Sequence, residues 1–463
     1  MVKLSAKTLA ELIRGRKVSP VEVVEAYLRQ IERVNPKLNA IVTLAPDAID
    51  RAREAEALMM RGETVGPLHG LPVTVKDTIE TKGLLTTSGS RLRASYAADE
   101  DAPAVARLKE AGAILIGKTN VSEMAIPYEC DNPVFGRTNN PHDTSRTSGG
   151  SSGGEAATIS ACLSAAGLGS DLSGSIRVPA HFCGVAGLKP TAGRVSASGH
   201  FPEAVGPLSL GAVIGPLARR VEDLSLLLSV LTERYADHTI SSQTEARIKM
   251  SGWRVASFIA DGDAPVTSET KQAVQAALRA LSEARLTVIE EKPPGLKRAV
   301  KLWPALFSRA SLIQLRDVYA GHENQAGRVV RALLNSAEDD SPSLDEFIKA
   351  WIERDALRAA LVRWMNTTPL IVAPVGSVPA FEHGARRVDV EGEAISVFRA
   401  FGYSRIANVL DLPSVSVPAG RTYDGLPIGV QIIGKPFEEE AVLAAASIIE
   451  DALGSFVLPA NPL

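Results

Sequence analysis

The sequence has few cysteines, and their placement excludes two classes of structure. Cys130, Cys162 and Cys183 are the only three in 463 residues. They are too few and too scattered for a disulfide framework, and no C-x-x-C pair or Cys/His spacing is typical of zinc. We therefore expect a protein of a reducing compartment, the cytoplasm, without a bound metal ion.

Long apolar runs and a strong net charge are also missing. No run approaches the roughly 18 apolar residues that a membrane-spanning helix needs, and residues 1–20 lack the apolar segment of a signal peptide. The formal net charge at pH 7 is -3, which gives no electrostatic reason to expect nucleic acid or an anionic membrane. A small neutral molecule is therefore the expected partner, and no pattern requires a nucleotide or an organic cofactor.

What the chain does contain is an alternation of helical and strand patterns. Ser19 and Glu22 flank Pro20 as a capping box, and apolar residues follow at helical spacing up to Val34. Strand patterns occur at LPVTVKD, WRVASFI, LTVIEE, LIVAPV, PSVSVPAG and PIGVQIIG, with helical patterns between them. No internal repeat or charged linker divides the chain. The patterns predict an α/β protein in which residues 1–463 form one compact domain on one large sheet.

Three segments of this predicted domain differ in their predicted secondary structure. Residues 5–62 are mainly helical, and residues 66–220 form a mixed core of helices and strands. The stretch from about 294 to 366 is almost entirely helical. We expect it to cover one side of the sheet as a subdomain.

Two short motif matches are set aside. GAILIGKT, residues 112–119, has the letters of a phosphate-binding P-loop, but Ala-Ile-Leu-Ile belongs in a buried strand and the motif requires a loop. GGSSG, residues 149–153, fits G-x-S-x-G for Ser151, but a polar, turn-rich segment precedes it where a nucleophile elbow requires an apolar strand. A Ser-His-Asp triad stays an alternative, because five histidines follow: His181, His200, His238, His322 and His383.

Small residues concentrate in two places where a serine could react. One is SGGSSGGE at 148–155, and the other is the turn from Asp171 to Ser175. A hydroxyl that follows consecutive small residues can have several N–H groups converging in front of it, so this turn is a candidate oxyanion hole. Serine needs a base, and Lys76 at the end of PVTVK could serve if burial lowers its pKa from about 10.4 towards 7 or 8.

Several longer motifs resemble the amidase signature family of serine hydrolases. They are VKDTIETKG, GKTNVSE, RTSGGSSGGEAA, GLGSDLSGSIRVPAHFCGVAGLKPT and NVLDLPSVSVPAG, and they follow the family order between about residues 66 and 435. The signature core spans 145–191. The resemblance implies a large mixed central β-sheet covered by helices on both faces.

The resemblance also implies a Ser-cisSer-Lys triad. Lys76 is then the base, Ser151 the relay and Ser175 the nucleophile that forms an acyl-enzyme. The Gly150–Ser151 peptide bond is cis in this pattern, and the surrounding glycines leave room for it. Ser152 is expected to orient the lysine. The expected oxyanion hole consists of the N–H groups of Leu172, Ser173 and Gly174, with Ser175 as a further donor.

The roles of the residues near Ser175 are less clearly indicated by the sequence. Asp171 and Arg177 either brace the loop through charge-assisted hydrogen bonds or form an ordinary buried ion pair. His181 and Cys183 are interpreted as packed core residues. Ser173 replaces the glycine that is usual in the family, and a positive φ there would cost about 1–2 kcal/mol.

The expected activity is hydrolysis of a carboxylic amide to an acid and an amine or ammonia. We favour a stand-alone amidase, including the fatty-acid-amide-hydrolase type. The alternative is the glutaminase (A) subunit of a tRNA-dependent amidotransferase, and a scaffold with a dead site is a further one. Met124, Tyr128 and Cys130 are candidate walls of the substrate pocket or plain packing residues. A homodimer is compatible with the sequence.

Overall fold

Apolar strand sequences recur along the chain, and the computed structural model pairs most of them in one sheet. It describes residues 1–63, 65–232, 247, 249–259, 264–336, 343–454 and 456–459. The strands are β1 (Ile41–Leu44), β2 (Pro72–Lys76), β3 (Ile114–Thr119), β4 (Ala166–Asp171), β5 (Ala186–Lys189), β6 (Val213–Ala218), β7 (Arg254–Ser257), β8 (Thr287–Ile289), β9 (Leu370–Pro374), β10 (Arg387–Val390), β11 (Glu393–Ser396), β12 (Ser414–Arg421) and β13 (Pro427–Ile433).

Eleven of these strands form the main sheet, in the order β1-β3-β2-β4-β6-β5-β12-β13-β9-β7-β8. Strands β2, β3 and β4 are parallel to one another, as are β7, β8 and β9, whereas the central strands pair antiparallel. The remaining two, β10 and β11, form a separate hairpin. The carboxyl ends of β2 and β4 therefore meet at one edge of the sheet, which brings Lys76 and Asp171 into the same region.

Helices connect the strands and pack against the sheet. They are α1 (Ala6–Arg14), α2 (Pro20–Leu38), α3 (Ala48–Met60), α4 (Pro103–Glu110), α5 (Gly153–Ser160), α6 (Arg177–Cys183), α7 (Val221–Leu231), α8 (Ser268–Glu283), α9 (Leu296–Trp303), α10 (Arg309–Tyr319), α11 (Arg328–Leu334), α12 (Leu344–Trp364), α13 (Val397–Ala400), α14 (Gly402–Val409) and α15 (Glu439–Leu453). Helix α2 begins with the predicted capping box, because Ser19 accepts from the Glu22 N–H and Glu22 accepts from the Ser19 N–H.

The main core lies between the sheet and the helices that flank it. Helix α6 packs on β5, β12 and β13, while α8 packs on β9, β12 and β13 and α15 packs on β12. A second, smaller cluster joins α10 and α11 to the segment after β3. It contains Met124, Leu315, Tyr319, Ala326, Val330 and Leu334.

The predicted fold class, a mixed α/β sheet flanked by helices, is confirmed. Residues 114–119 of the apparent P-loop form the buried strand β3, as interpreted. The stretch 294–366 is helical through α9 to α12 within its described residues. The described helices include none that is both long and apolar enough to cross a membrane. The assignment of residues 1–463 to one domain stays a prediction.

Candidate active site

Lys76 ends strand β2 with its side chain inside the protein. The sequence PVTVK contains three β-branched residues, which favour a strand, and all five of its residues are buried. Side chains alternate along a strand, so Thr74 and Lys76 point to the same face. Thr74 donates to Glu155 in α5, and Lys76 contacts Ser151 just before that helix. The amine is therefore held in the protein interior, next to the start of α5.

At its glycines, the glycine-rich segment that leads into α5 packs too closely against its surroundings to carry a side chain. A Cβ at Gly150 would lie 2.4 Å from the carbonyl oxygen of Pro127, and one at Gly154 would lie 2.4 Å from the backbone of Asn120. The Gly150–Ser151 peptide bond is cis. The small residues of SGGSSGGE are thus required by the close approach of this loop to residues 120–127.

The Lys76 amine contacts the oxygens of two serines. Its Nζ lies 2.7 Å from Ser151 Oγ, 2.8 Å from Ser170 Oγ and 3.5 Å from the Ser170 carbonyl oxygen. Lys76 and Ser151 are fully buried. Among the described residues, no carboxylate forms a salt bridge with this amine. The contacts therefore suit a neutral amine.

Burial lowers the pKa of Lys76 to about 7, and the negative charge of Asp171 is one of the effects that oppose this shift. The two other acidic side chains nearby carry little charge at pH 7. Burial raises the pKa of Cys130 to about 12 and that of Glu155 to about 8. Near neutral pH, a large fraction of the Lys76 side chain is therefore an uncharged base.

Ser175 follows the turn that ends β4. Gly174 has a φ of +109°, and a Cβ there would lie 2.5 Å from the Cβ of Ser404. Its N–H donates to Asp171 Oδ1 at 2.8 Å. The N–H groups of Leu172, Ser173 and Ser175 have no hydrogen-bond partner among the described residues. The prediction that the Gly174 N–H serves the oxyanion hole is therefore corrected, because the Asp171 carboxylate already occupies it.

Ser173, which replaces the usual family glycine, has no positive φ. The left-handed position is taken by Gly174 instead, so the serine carries no backbone penalty. Its carbonyl oxygen accepts a hydrogen bond from the Tyr128 hydroxyl at 2.7 Å. Tyr128 thus supports the turn before Ser175 from outside.

A network of ionic and amide groups braces the other side of this loop. Arg177 donates two hydrogen bonds to Asp171, from Nε at 3.1 Å and from Nη2 at 3.0 Å. It also donates to Gln431 Oε1 and Asn408 Oδ1, each at 2.7 Å. Burial alone would raise the pKa of Asp171, but the Arg177 charge and the hydrogen bonds from Arg177 and Asn408 outweigh it and hold that pKa well below its usual range. Asp171 stays ionised and fixes the turn through the Gly174 and Ile176 N–H groups.

The two candidate catalytic serines, Ser151 and Ser175, line the same cavity but do not contact each other. The cavity has a volume of about 70 Å³ and opens to solvent. No hydrogen bond joins their hydroxyl groups in the part of the chain that the structure describes. Ser175 is 6% exposed. The structure thus brings together Lys76 and Ser151 directly, and Ser175 with them through a shared space.

His200 lines the same cavity, whereas His181 and His383 lie elsewhere. His181 contacts the backbone of Val378 and Gly429, and His383 contacts that of Thr144. No described histidine hydrogen-bonds Ser151 or Ser175, and His238 lies outside the described residues. His181 and Cys183 are fully buried, in agreement with their interpretation as core residues. The arrangement gives no support to a Ser-His-Asp triad.

The three candidate pocket residues lie in three different environments. Met124 lines the cavity together with Leu172, Val213 and Leu315. Tyr128 does not line it but braces Ser173. Cys130 is buried beneath Gly153 with its thiol 3.5 Å from Thr138 Oγ1. The pocket-wall prediction is therefore wrong for Tyr128 and Cys130.

The second serine at the lysine is Ser170, and the prediction of Ser152 in that role is wrong. The Ser152 hydroxyl donates to the Ser170 carbonyl oxygen and accepts from the Ser170 N–H. The Ser170 hydroxyl is the one that contacts the amine. No sequence signal marks Ser170, Asn408 or Gln431 as site residues, because their partners are 94 to 254 positions away in the chain.

No metal site is found in the described parts of the chain, where no group of three or more His, Cys, Asp or Glu side chains could hold an ion. The groups around the Lys76 amine are serine hydroxyl and backbone carbonyl groups. The expectation that no cofactor takes part remains a prediction.

Comparison with known proteins gives consistent matches along nearly the whole chain. A family model described as Amidase matches residues 22–443. The A subunit of the glutamyl-tRNA(Gln) amidotransferase of Carboxydothermus hydrogenoformans is 34% identical over 486 residues, and the match covers 96% of both chains. The similarity therefore includes the region of the candidate site and both ends of the sheet.

Two solved structures share the fold at similar identity. A 6-aminohexanoate cyclic dimer hydrolase complexed with substrate superposes with a TM-score of 0.85 at 28% identity, covering 99% of each chain. The A subunit of the glutamyl-tRNA(Gln) amidotransferase of Thermotoga maritima superposes with a TM-score of 0.80 at 28% identity, covering 99% of this chain and 98% of the other. The same architecture is thus found in a hydrolase and in one component of an amidotransferase.

Proposed function

Because this chain belongs to the amidase family of amidohydrolases, we propose that it opens amide bonds with Ser175 as the nucleophile, Ser151 as the relay and Lys76 as the base. The observation that carries the proposal is the 2.7 Å contact between Lys76 Nζ and Ser151 Oγ. That amine has a pKa of about 7 because it is buried, so it can accept a proton at neutral pH.

The first half of the reaction forms the tetrahedral intermediate that precedes the acyl-enzyme. The Lys76 lone pair accepts the Ser151 proton, Ser151 accepts the Ser175 proton, and Ser175 Oγ attacks the amide carbon. The unpaired N–H groups of Leu172, Ser173 and Ser175 hold the resulting oxyanion. Catalytic hydrogen bonds are often absent or long in unliganded enzymes. We propose that rotation of a serine hydroxyl closes the link between Ser151 and Ser175 when substrate binds.

The second half reverses the proton transfer and then repeats it with water. The Lys76 ammonium returns its proton through Ser151 to the leaving nitrogen, the carbon–nitrogen bond breaks, and the amine or ammonia departs. Water then enters, loses a proton along the same relay and attacks the ester. Ser175 recovers its proton, and the carboxylic acid is released.

Labelling with a fluorophosphonate tests the nucleophile without knowledge of the substrate. Wild type should be labelled at Ser175 as identified by peptide mass spectrometry, and Ser175→Ala should lose the label. Ser148→Ala is the matched control from the glycine-rich loop, because the Ser148 hydroxyl donates to the Thr138 carbonyl oxygen at 3.4 Å and makes no hydrogen bond to Lys76, Ser151 or Ser175 in the described structure, and it should label like wild type. Equal labelling of Ser175→Ala and wild type would contradict the proposal.

The comparisons change the preferred substrate. The sequence motifs favour a stand-alone amidase, but the curated relative with 34% identity over 96% of both chains is the A subunit of an amidotransferase. We therefore place the alternative first, in which the amide is that of glutamine and the released ammonia passes to a partner chain. The expected partners then include a second protein chain as well as the small-molecule substrate.

One feature of the cavity favours the stand-alone amidase as a second candidate. Its wall is largely apolar, with Ile126, Leu208, Val213 and Ile214 among its residues. The described lining residues include no arginine or lysine to pair with the α-carboxylate of glutamine, and Glu203 lies in the wall. An amide with an apolar acyl group suits such a wall.

Activity of the purified chain separates the two candidates. Glutamine hydrolysis by the chain, stimulated by an amidotransferase partner, would support the role of an amidotransferase component. Hydrolysis of an acyl p-nitroanilide by the chain alone, with no detectable turnover of glutamine, would support the stand-alone enzyme. Ser175→Ala should abolish whichever activity is found.

A further inference from the structure

The hydrogen bonds around Lys76 continue beyond the proposed triad to a histidine. Ser170 Oγ, which contacts the lysine amine at 2.8 Å, also lies 2.8 Å from His200 Nε2. The other ring nitrogen, His200 Nδ1, lies 2.8 Å from the Pro202 carbonyl oxygen. Ser170 is 6% exposed, and His200 is partly buried and lines the cavity. A continuous chain thus runs from Pro202 through His200 and Ser170 to the amine.

The direction of each hydrogen bond in this chain follows from which atoms carry hydrogen. A carbonyl oxygen can only accept, so His200 Nδ1 must carry the proton that binds Pro202. In a neutral imidazole the other nitrogen, Nε2, is then an acceptor, and the Ser170 hydroxyl must donate to it. Burial, together with the nearby positive charge of Lys76, lowers the pKa of His200 to about 4, so the ring is neutral at pH 7.

The same reasoning fixes the orientation of the lysine amine. Once Ser170 has donated its hydrogen to His200, its oxygen can only accept from Nζ. A neutral amine has two hydrogens and one lone pair. One hydrogen is directed at Ser170 Oγ at 2.8 Å and the second at the Ser170 carbonyl oxygen at 3.5 Å. The lone pair is left for Ser151 Oγ at 2.7 Å.

We propose that His200 is a positioning residue that, through Ser170, holds the lone pair of Lys76 towards Ser151. This inference rests on the proposed function, because it assigns a partner to the base of that mechanism. Without the acceptor on His200, the Ser170 hydroxyl is free to donate to Nζ and to compete with Ser151 for the lone pair. The ring therefore acts on proton transfer without contacting the reacting atoms.

The rate of Ser175 phosphonylation by a fluorophosphonate measures this effect. The maximal inactivation rate constant reports activation of the nucleophile, and the half-saturating concentration reports probe binding. His200→Phe keeps a flat ring without an acceptor and should lower the rate constant about 10-fold or more, with the half-saturating concentration within about threefold of wild type. His200→Gln offers an acceptor oxygen and should recover most of the rate.

A double-mutant cycle assigns the effect to the hydrogen-bond chain. Ser170→Ala should slow phosphonylation about as much as His200→Phe, and the double variant should be no slower than either single one. His200→Met replaces His200→Phe in the cycle if the phenylalanine variant shows a lowered Tm. Equal loss in His200→Phe and His200→Gln, a change in probe binding alone, or additive losses would overturn the inference.

The inference and the proposed function fail in different ways. Labelling of Ser175→Ala at the wild-type rate would remove the proposed nucleophile. Loss of labelling in Ser175→Ala, combined with wild-type rates in His200→Phe and Ser170→Ala, would leave the nucleophile in place and refute only the role of His200.

Discussion

Ser170 and Asp171 are neighbours at the end of β4, and they organise two buried cationic side chains in opposite ways. On the Ser170 side, the Lys76 amine contacts serine oxygens and no carboxylate within the described residues, and its pKa falls to about 7. On the Asp171 side, the Arg177 guanidinium donates two hydrogen bonds to a carboxylate, which stays ionised. The difference teaches that burial among hydroxyl groups favours the neutral form of a lysine amine, whereas the Arg177 guanidinium keeps the carboxylate beside it ionised.

Lys118 lies between these two cases, because it is a buried lysine with a carboxylate nearby. It is as buried as Lys76 but has Asp77 at 3.9 Å, the Ile79 carbonyl oxygen at 2.6 Å and Thr86 Oγ1 at 2.9 Å. Burial lowers its pKa to about 8, against the opposing effect of Asp77. It lies away from the cavity, so it provides a matched control for substitutions of Lys76.

The largest expected effect comes from removing the base. Lys76→Ala should lower kcat/KM at pH 7 by about 10⁴-fold, or about 5 kcal/mol of transition-state stabilisation. The loss should be smaller at high pH, where hydroxide substitutes for the amine. The measurement is kcat/KM of both proteins across pH. A ratio between wild type and variant that does not change with pH would count against Lys76 as the base.

Breaking the ion pair between Arg177 and Asp171 should lower the stability of the protein. Arg177→Met leaves the Asp171 carboxylate buried without its cation and should lower the free energy of unfolding by about 3–5 kcal/mol. Urea unfolding measures this. Arg298→Met is the control, since its ion pair with Glu353 is exposed and should contribute at most about 1 kcal/mol. Equal stability losses in the two variants would refute the bracing role of Arg177.

Removing the Lys76 side-chain charge should instead raise the free energy of unfolding. The pKa of Lys76 is about 7 in the folded protein and about 10.4 when unfolded, so folding must neutralise or bury a charge at low pH. Lys76→Met should therefore raise the free energy of unfolding at pH 7 by about 2–4 kcal/mol, and the gain should shrink as pH rises towards 10.4.

Lys118→Met sharpens this comparison. It leaves Asp77 without its cation, so it should gain less stability than Lys76→Met or lose some. Equal gains in both lysine variants would show that burial alone, rather than the choice of partner, sets the energy of the two amines.

The smallest effect is expected from a substitution in the turn from Asp171 to Ser175. Ser173→Gly should change kcat by less than about threefold, because Ser173 has no positive φ and its contact with Tyr128 uses the backbone carbonyl group. Steady-state kinetics measure the effect. A large drop in turnover would show that the Ser173 hydroxyl has a role of its own.

Sequence patterns predict the parts of the molecule in which local periodicity coincides with the tertiary structure. The capping box of α2, the buried strand at residues 114–119 and the helices between 294 and 366 follow from apolar spacing and turn residues. The same reasoning predicts that Lys76 ends a strand.

Side-chain direction inside loops cannot be predicted in the same way. Ser151 and Ser152 are adjacent and chemically identical, and only the close packing of the loop decides which hydroxyl faces the amine. Ser170 and His200 are 30 positions apart and meet because β4 and the segment after β5 converge on the cavity. Tyr128 is predicted at the cavity, but its hydroxyl is directed at the Ser173 backbone.

The most direct test of the central claim is the pH dependence of Ser175 phosphonylation by an uncharged fluorophosphonate. If neutral Lys76 activates the serine, the rate should rise tenfold per pH unit below about 7 and level off above it. A rate that is independent of pH, or one that keeps rising past pH 10 as for an unperturbed lysine, would contradict the account.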